Sequence, residues 1–169
     1  MHPLNYFSDQ SLGKLQFEIN MDLDKLVAVS GLSGIFKMAV NRKNGLILQN
    51  IDTGKKNFYS SRKHQFTPLE SISIYTFDDG IELGLVFKAM KEQIDENPPV
   101  SHKSSKEELR GYFEKILPTY DRGQVYDSDI KRLIKWFNFL NERDLLKEKV
   151  EEIEEPTAEN TDVTGTEEA

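Results

Sequence analysis

The chain of 169 residues has no cysteine. That removes disulfide frameworks, thiolate metal sites and a cysteine nucleophile together. Histidine occurs three times, as His2, His64 and His102, without the paired spacing of a metal site. No apolar run approaches the roughly 20 residues that cross a bilayer. The opening MHPLNYFSDQSLGK lacks both the basic n-region and the apolar h-region of a secretory signal. A cytoplasmic location with no membrane partner is therefore the expectation.

Signature motifs are lacking too. Gly31-Leu32-Ser33-Gly34 has neither the third glycine of a dinucleotide fingerprint nor a Gly-Lys-Ser/Thr ending, and the chain has no Gly-x-Ser-x-Gly elbow. The same four residues match the GXXG loop with which KH domains clamp backbone phosphates. In KH domains that loop joins two helices, whereas here it joins two expected strands, so it reads as a turn. Asp121, Asp127 and Asp129 do not form a calcium loop. Counted from Asp121, position 3 is Gly123, position 5 is Val125 and position 6, which needs glycine, is Tyr126. Helix capping is the better account of these aspartates. With no catalytic constellation, an enzyme is the least supported class, and neither a metal nor a cofactor is expected.

What is present begins with strand grammar between Leu26 and Thr76. Five short runs, Leu26–Ser30, Gly34–Val40, Gly45–Ile51, Lys55–Ser60 and Ser71–Thr76, are separated by turn signals. Among these signals are Asn44-Gly45, whose residues tolerate positive φ, and Asp52-Thr53-Gly54. Turns every eight to twelve residues point to a small barrel or sandwich, and an SH3-like barrel is the first choice. So small a domain buries only about 60% of its unfolded surface, so a following helix should cap it.

That helix is Glu82–Ile94, with Leu83, Val86, Phe87, Met90 and Ile94 on one stripe. Pro98 and Pro99 end it and open a linker over 95–103. Ser104-Ser105-Lys106-Glu107 reads as a capping box, starting a helix whose stripe is Leu109, Tyr112, Phe113, Ile116 and Leu117. A last helix over about 128–148, capped by Asp127, carries Ile130, Leu133, Ile134, Phe137 and Leu140. The expected architecture is α+β: a β-barrel domain with capping helix over 21–94, the linker, a helical hairpin over 104–148 and a disordered acidic tail over 149–169. Glu151–Glu155 is the stretch that could extend the helix before Pro156. Residues 1–20, which lack a sustained period, read as an extension arising from a start codon chosen upstream of Met21, or as a flexible arm.

The stretches MDLDKLVAVSGLSGIFKM, LESISIYT and SHKSSKEELRGYFEKILPTYDRGQVYDSDIKRLIKWFNFL, together about residues 21–140, resemble an uncharacterised family of Bacteroidota proteins carrying a domain of unknown function. The resemblance implies a cytoplasmic bacterial protein and supplies no activity, ligand or catalytic residue.

Charge is distributed unevenly beneath a net −7. Lys37, Arg42, Lys43, Lys55, Lys56, Arg62 and Lys63 face a single acid, Asp52, within 37–66, whereas 149–169 holds eight acids and one base. Phe58 and Tyr59 lie beside these bases, and cations with aromatic rings suit phosphates and bases. The plain alternative is that the lysines solvate a sheet face and Phe58 is core. The expected role is a non-enzymatic binding module for RNA, DNA or a ribonucleoprotein through Lys37, Arg42, Lys43, Lys55, Lys56, Phe58, Tyr59, Arg62 and Lys63. The competing class is a protein–protein adaptor using Trp136, Phe137 and Phe139, with core packing as the plain reading of that cluster. No sequence feature addresses oligomeric state.

Overall fold

The computed structural model describes residues 16–153. Nine strands and three helices follow in order: β1 (Gln16–Met21), β2 (Leu26–Val29), β3 (Ile35–Arg42), β4 (Gly45–Asn50), β5 (Lys56–Ser60), β6 (Phe66–Pro68), β7 (Ser73–Tyr75), β8 (Gly80–Glu82), α1 (Leu83–Glu92), α2 (Lys106–Ile116), α3 (Asp127–Glu142) and β9 (Glu148–Ile153). A 3-10 turn, Leu69–Ser71, separates β6 from β7.

The main sheet is antiparallel with the order β5-β4-β3-β2-β6. The β3–β4 hairpin turns on Lys43-Asn44, because Arg42 already pairs with Gly45. Gly45 is required for a different reason than the turn: a Cβ there would collide with the Tyr59 carbonyl on β5. The β4–β5 turn is an Asx turn, with the Asn50 side-chain oxygen accepting from the Asp52 and Thr53 amides at 2.9 and 3.0 Å.

The fifth strand of this sheet differs from the expectation. It is β6, drawn from the loop around Pro68, while Ser73–Tyr75 leaves the sheet to pair with β8. Proline cannot donate to a ladder but is tolerated on an edge strand, and β6 is an edge. The sheet's two edges, β5 and β6, do not pair with each other, so the architecture is α+β around an open sheet.

The helical stripes appear as the periodicity predicts. Leu109, Tyr112, Phe113, Ile116 and Leu117 are buried, as are Ile130, Leu133, Ile134, Phe137 and Leu140. Both stripes join one cluster with Leu83, Val86, Phe87 and Met90 of α1 and with Leu26, Ile35, Leu69 and Ile74. The partner surface of the helical hairpin is therefore α1 and the sheet together. Residues 20–149 form one unit, so the expected linker at 95–103 does not separate two domains.

Three boundaries move. The capping box is one residue later than expected: the Ser105 amide donates to the Glu108 carboxylate at 2.9 Å, and the Glu108 amide donates back to Ser105 Oγ at 3.3 Å. Tyr126, rather than Asp127, is the N-cap of α3, and its amide donates to Asp129 at 2.9 Å. Asp127 instead accepts from Arg110 of α2 at 2.6 Å. At the other end α3 stops at Glu142, not 148, in a Schellman motif. Asp144 takes φ 53°, and the Asp144 and Leu145 amides return to the Asn141 and Leu140 carbonyls. Aspartate tolerates that left-handed conformation better than most residues.

Beyond α3 the chain forms β9, which pairs with β1. The expected junctions at 20/21 and 148/149, and the expected helix extension near Glu151, thus fall within paired strands. Of the second unit, residues 1–19 and 150–169, only 16–19 and 150–153 are described. The remainder of the expected extension and acidic tail lies outside the described residues.

Asn20 anchors the start of the larger unit. It is 5% exposed; its amide nitrogen donates to Glu82 at 2.7 Å and its oxygen accepts from the Met21 amide at 2.8 Å. Gly84 exists to make room, since a Cβ there would strike that oxygen. Asn20→Ala leaves a buried amide unpaired and should cost about 1–3 kcal/mol in urea denaturation. Tyr112 presents the opposite case. Its hydroxyl is buried without a partner among the described residues, and burial pushes its pKa up. Tyr112→Phe should therefore match the parent or gain about 1 kcal/mol in the same assay.

Candidate nucleic-acid interface

Antiparallel partners place their side chains on one face, so the register assigns the basic residues directly. Lys37 pairs with Gln49, which pairs with Lys56; Val40 pairs with Ile47, which pairs with Phe58; Arg42 pairs with Gly45, which pairs with Ser60. Three rows therefore cross β3, β4 and β5 on one face, and the apolar row lies between rows bearing cations. Val40 is 41% exposed and Phe58 53%; Lys37, Arg42 and Lys56 are exposed as well.

A β-bulge decides this composition. The β3–β4 register shifts between Met38 and Val40, leaving Ala39 as the extra residue. In an unbroken strand, Lys37 and Val40 would point to opposite faces, because successive side chains alternate. The bulge brings Val40 and Arg42 to the side of Lys37. Sequence reasoning missed Val40 for this reason, and no simple alternation would have found it.

Phe58 and Tyr59 part company. Tyr59 pairs with Leu46 and belongs to the second core, with Val27, Val29, Phe36 and Leu48. Its ring lies 5.8 Å from Phe36 and 5.6 Å from His64, centroid to centroid. Tyr59 is thus withdrawn from the basic face, while Phe58, the residue suspected of being core, is exposed. Neighbours on a strand cannot share a face. Lys43 lies at the β3–β4 turn, and Arg62 and Lys63 follow β5 at the same end of the sheet. There the Ser61 amide donates to the Asn44 carbonyl at 2.9 Å. Lys55 is at the opposite end, in the β4–β5 turn. The seven cations therefore split into a central group (Lys37, Arg42, Lys56) and two end groups.

Asp52, the one acid in the basic segment, is occupied. Arg143, just past α3, donates to its two oxygens at 2.6 and 3.0 Å, donates to the Phe139 carbonyl at 2.9 Å, and lies 3.6 Å from the Phe139 ring centroid. These hydrogen bonds, and the guanidinium charge, hold the Asp52 carboxyl below its ordinary pKa.

The aromatic cluster of α3 also divides. Phe137 is fully buried, 5.9 Å from the Phe87 ring, and cannot serve as a docking residue. Trp136 and Phe139 are half-buried and line a cleft of about 1080 Å³ between α3 and the β2–β3 loop. Among the described residues no three His, Asp or Glu side chains gather to hold a metal, and no helix is long and apolar enough to cross a membrane.

An α+β fold with an exposed cationic and apolar sheet face defines the class of protein. Residues 23–69 match the Domain of unknown function (DUF5606) and residues 72–140 the Domain of unknown function (DUF6852). A solution NMR structure of a Bacteroides vulgatus protein, a structural-genomics target, is 32% identical, with a TM-score of 0.61 over 74% of this chain and 89% of that one. The chain belongs to the Bacteroidota family that joins these two domains. No curated protein matches it.

The Asp52–Arg143 pair gives a pH test. Because the folded-state pKa of Asp52 is lowered, its stabilisation is fully present above the unfolded value of about 4 and is lost as pH falls through the folded value. The melting temperature of the parent should therefore exceed that of Asp52→Asn at neutral pH, and the two should converge on acidification. A constant gap would mean that the pair adds nothing.

Proposed function

We propose that the exposed face of β3, β4 and β5 binds single-stranded nucleic acid, RNA or DNA, as a non-enzymatic module in the cytoplasm. The observation that carries this reading is the row Val40–Ile47–Phe58 held open between Lys37 and Lys56 on one side and Arg42 on the other. A solvent-facing phenylalanine offers a base its π-face, and the flanking cations meet the phosphates. Lys43, Arg62 and Lys63 would extend the cationic track at one end, and Lys55 at the other. The Asp52–Arg143 pair helps by removing an exposed repulsive carboxylate charge from the edge of that track.

The strand order also supports reading the sheet as an SH3-like barrel. A meander β2-β3-β4-β5 is followed by a short strand, β6, that returns to β2 and ends in a 3-10 turn. The second core, with Phe36, Leu48 and partly buried Leu46, Tyr59 and Phe66, would then be the barrel interior. The proposed interface would be its outer wall.

Fluorescence anisotropy of labelled mixed-sequence RNA and DNA strands with the full chain tests the reading. Affinity should fall linearly on a log–log plot against salt. Lys37→Gln and Lys56→Gln should each lower the slope by about 0.7, the value per neutralised phosphate on single strands. Phe58→Ala should cost about 1–3 kcal/mol with the slope retained. Binding that is absent, independent of salt, or indifferent to all three substitutions would sink the proposal.

A further inference from the structure

The cleft between α3 and the β2–β3 loop shares no residue with the sheet face just described. One wall is a stripe of α3, Arg132, Lys135, Trp136 and Phe139, at the i, i+3, i+4 and i+7 positions of one helical face. This stripe is distinct from the core stripe of the same helix. The opposite wall includes the loop Ser30–Gly34. Its volume, about 1080 Å³, lies just above the range of about 300–1,000 Å³ usual for small-ligand sites.

The loop is pinned at its base but open at its tip. The Ser30 amide donates to the Gln65 carbonyl at 2.9 Å, and the Gln65 amide donates back to Ser30 Oγ at 2.8 Å. Gly31 and Gly34 have φ of 78° and 84°. A Cβ on Gly34 would press Phe139 at 3.0 Å, whereas one on Gly31 would meet nothing within 4 Å. The amides of Gly31 and Ser33 bond to no acceptor among the described residues. The Leu32 amide between them is taken by the Val29 carbonyl at 3.2 Å, so these two amides are separate donors and not a nest of successive ones.

Across the cleft, Arg132 is 58% exposed, and its one ion-pair partner among the described residues is Asp129, at 3.7 Å within the same helix. Lys135 is exposed and has no ion-pair partner among the described residues. The third cation of the lining, Arg143, is occupied by Asp52. Of the two lining carboxylates, Asp129 already accepts from the Tyr126 amide at 2.9 Å, and Glu142 is 72% exposed. Trp136 is half-buried against the core cluster, with the Arg132 guanidinium 6.0 Å from its ring centroid. A flat aromatic surface, two exposed cations and a loop with two unbonded amides therefore line one cleft.

We infer that this cleft binds a free nucleoside monophosphate. The base lies against Trp136, and the phosphate is held by Arg132, Lys135 and the Gly31 and Ser33 amides. The ring supplies stacking and the cations supply charge-assisted hydrogen bonds. Neither group alone selects this ligand; their arrangement around one cavity does.

Trp136 is the sole tryptophan, so its indole N–H gives one unambiguous NMR signal. Isotope-labelled full chain is titrated separately with adenosine monophosphate, adenosine and inorganic phosphate. The monophosphate should shift the indole signal and the Gly31 and Ser33 amides saturably, and more tightly than either half. The double variant Arg132→Gln, Lys135→Gln, at two exposed positions, should weaken the monophosphate about tenfold, as the loss of one charge-assisted hydrogen bond predicts. A Lys37→Gln, Lys56→Gln, Phe58→Ala variant should leave this titration unchanged, which separates the cleft from the sheet face whatever becomes of the latter. The inference is overturned by an absent or unsaturable shift. It is overturned equally by shifts that ignore the double variant, or by phosphate alone matching the monophosphate with the indole unmoved.

Discussion

A domain of about 60 residues buries so little surface that it is only marginally stable by itself, and the fold is arranged around that deficit. One end of the sheet, with Leu26 and Ile35, is covered by a cluster to which all three helices contribute. The helices face the same constraint, since wide apolar stripes on α2 and α3 need something to cover. Each layer supplies the other's missing partner. Residues 20–149 consequently form one unit, even though two family domains meet between residues 69 and 72.

That arrangement leaves a remainder. The helices cover the part of one face that carries Leu26 and Ile35, while the part that carries Val40 and Phe58 stays in solvent. Val40 and Phe58 are exposed there, amid lysine and arginine. On the other face Phe36, Leu48 and Tyr59 form the second core. An exposed phenylalanine taken singly needs no explanation. A row of three apolar side chains across adjacent strands, bracketed by cations, is the feature on which the proposed nucleic-acid reading rests.

Arg143 links the parts of the molecule on which both functional readings rest. It reaches from the end of α3 to the β4–β5 turn, stacks on Phe139 and bonds to Asp52. Through it the helix that forms one wall of the cleft is tied to the sheet that carries the basic face. Exposed ion pairs contribute little stability on average, so the significance of this one is positional. It fixes the orientation of a side chain lining the cleft and neutralises the single acid of the basic segment.

Local periodicity determined much of this protein. The stripes of α2 and α3 could be read residue by residue because 3.6-residue spacing is a property of the helix alone. Four of the five strands of the main sheet were legible within a residue or two, because turn residues punctuate them. Ser105 and Asp144 show the limit of that legibility: adjacent serines could each cap, and an aspartate ended a helix where glycine or proline was sought. What the tertiary structure decided has larger separation in sequence. β1 and β9 find each other across more than a hundred residues, and Asp52 and Arg143 are 91 apart; neither pairing leaves a local mark. β6 was hidden by Pro68, which is acceptable only because the strand is an edge. The face was hidden by one bulge, which turned Val40 and Arg42 toward Lys37, while alternation sent Tyr59 inward and Phe58 out. Composition announced cations and aromatics, but only the register of three paired strands could say which of them meet.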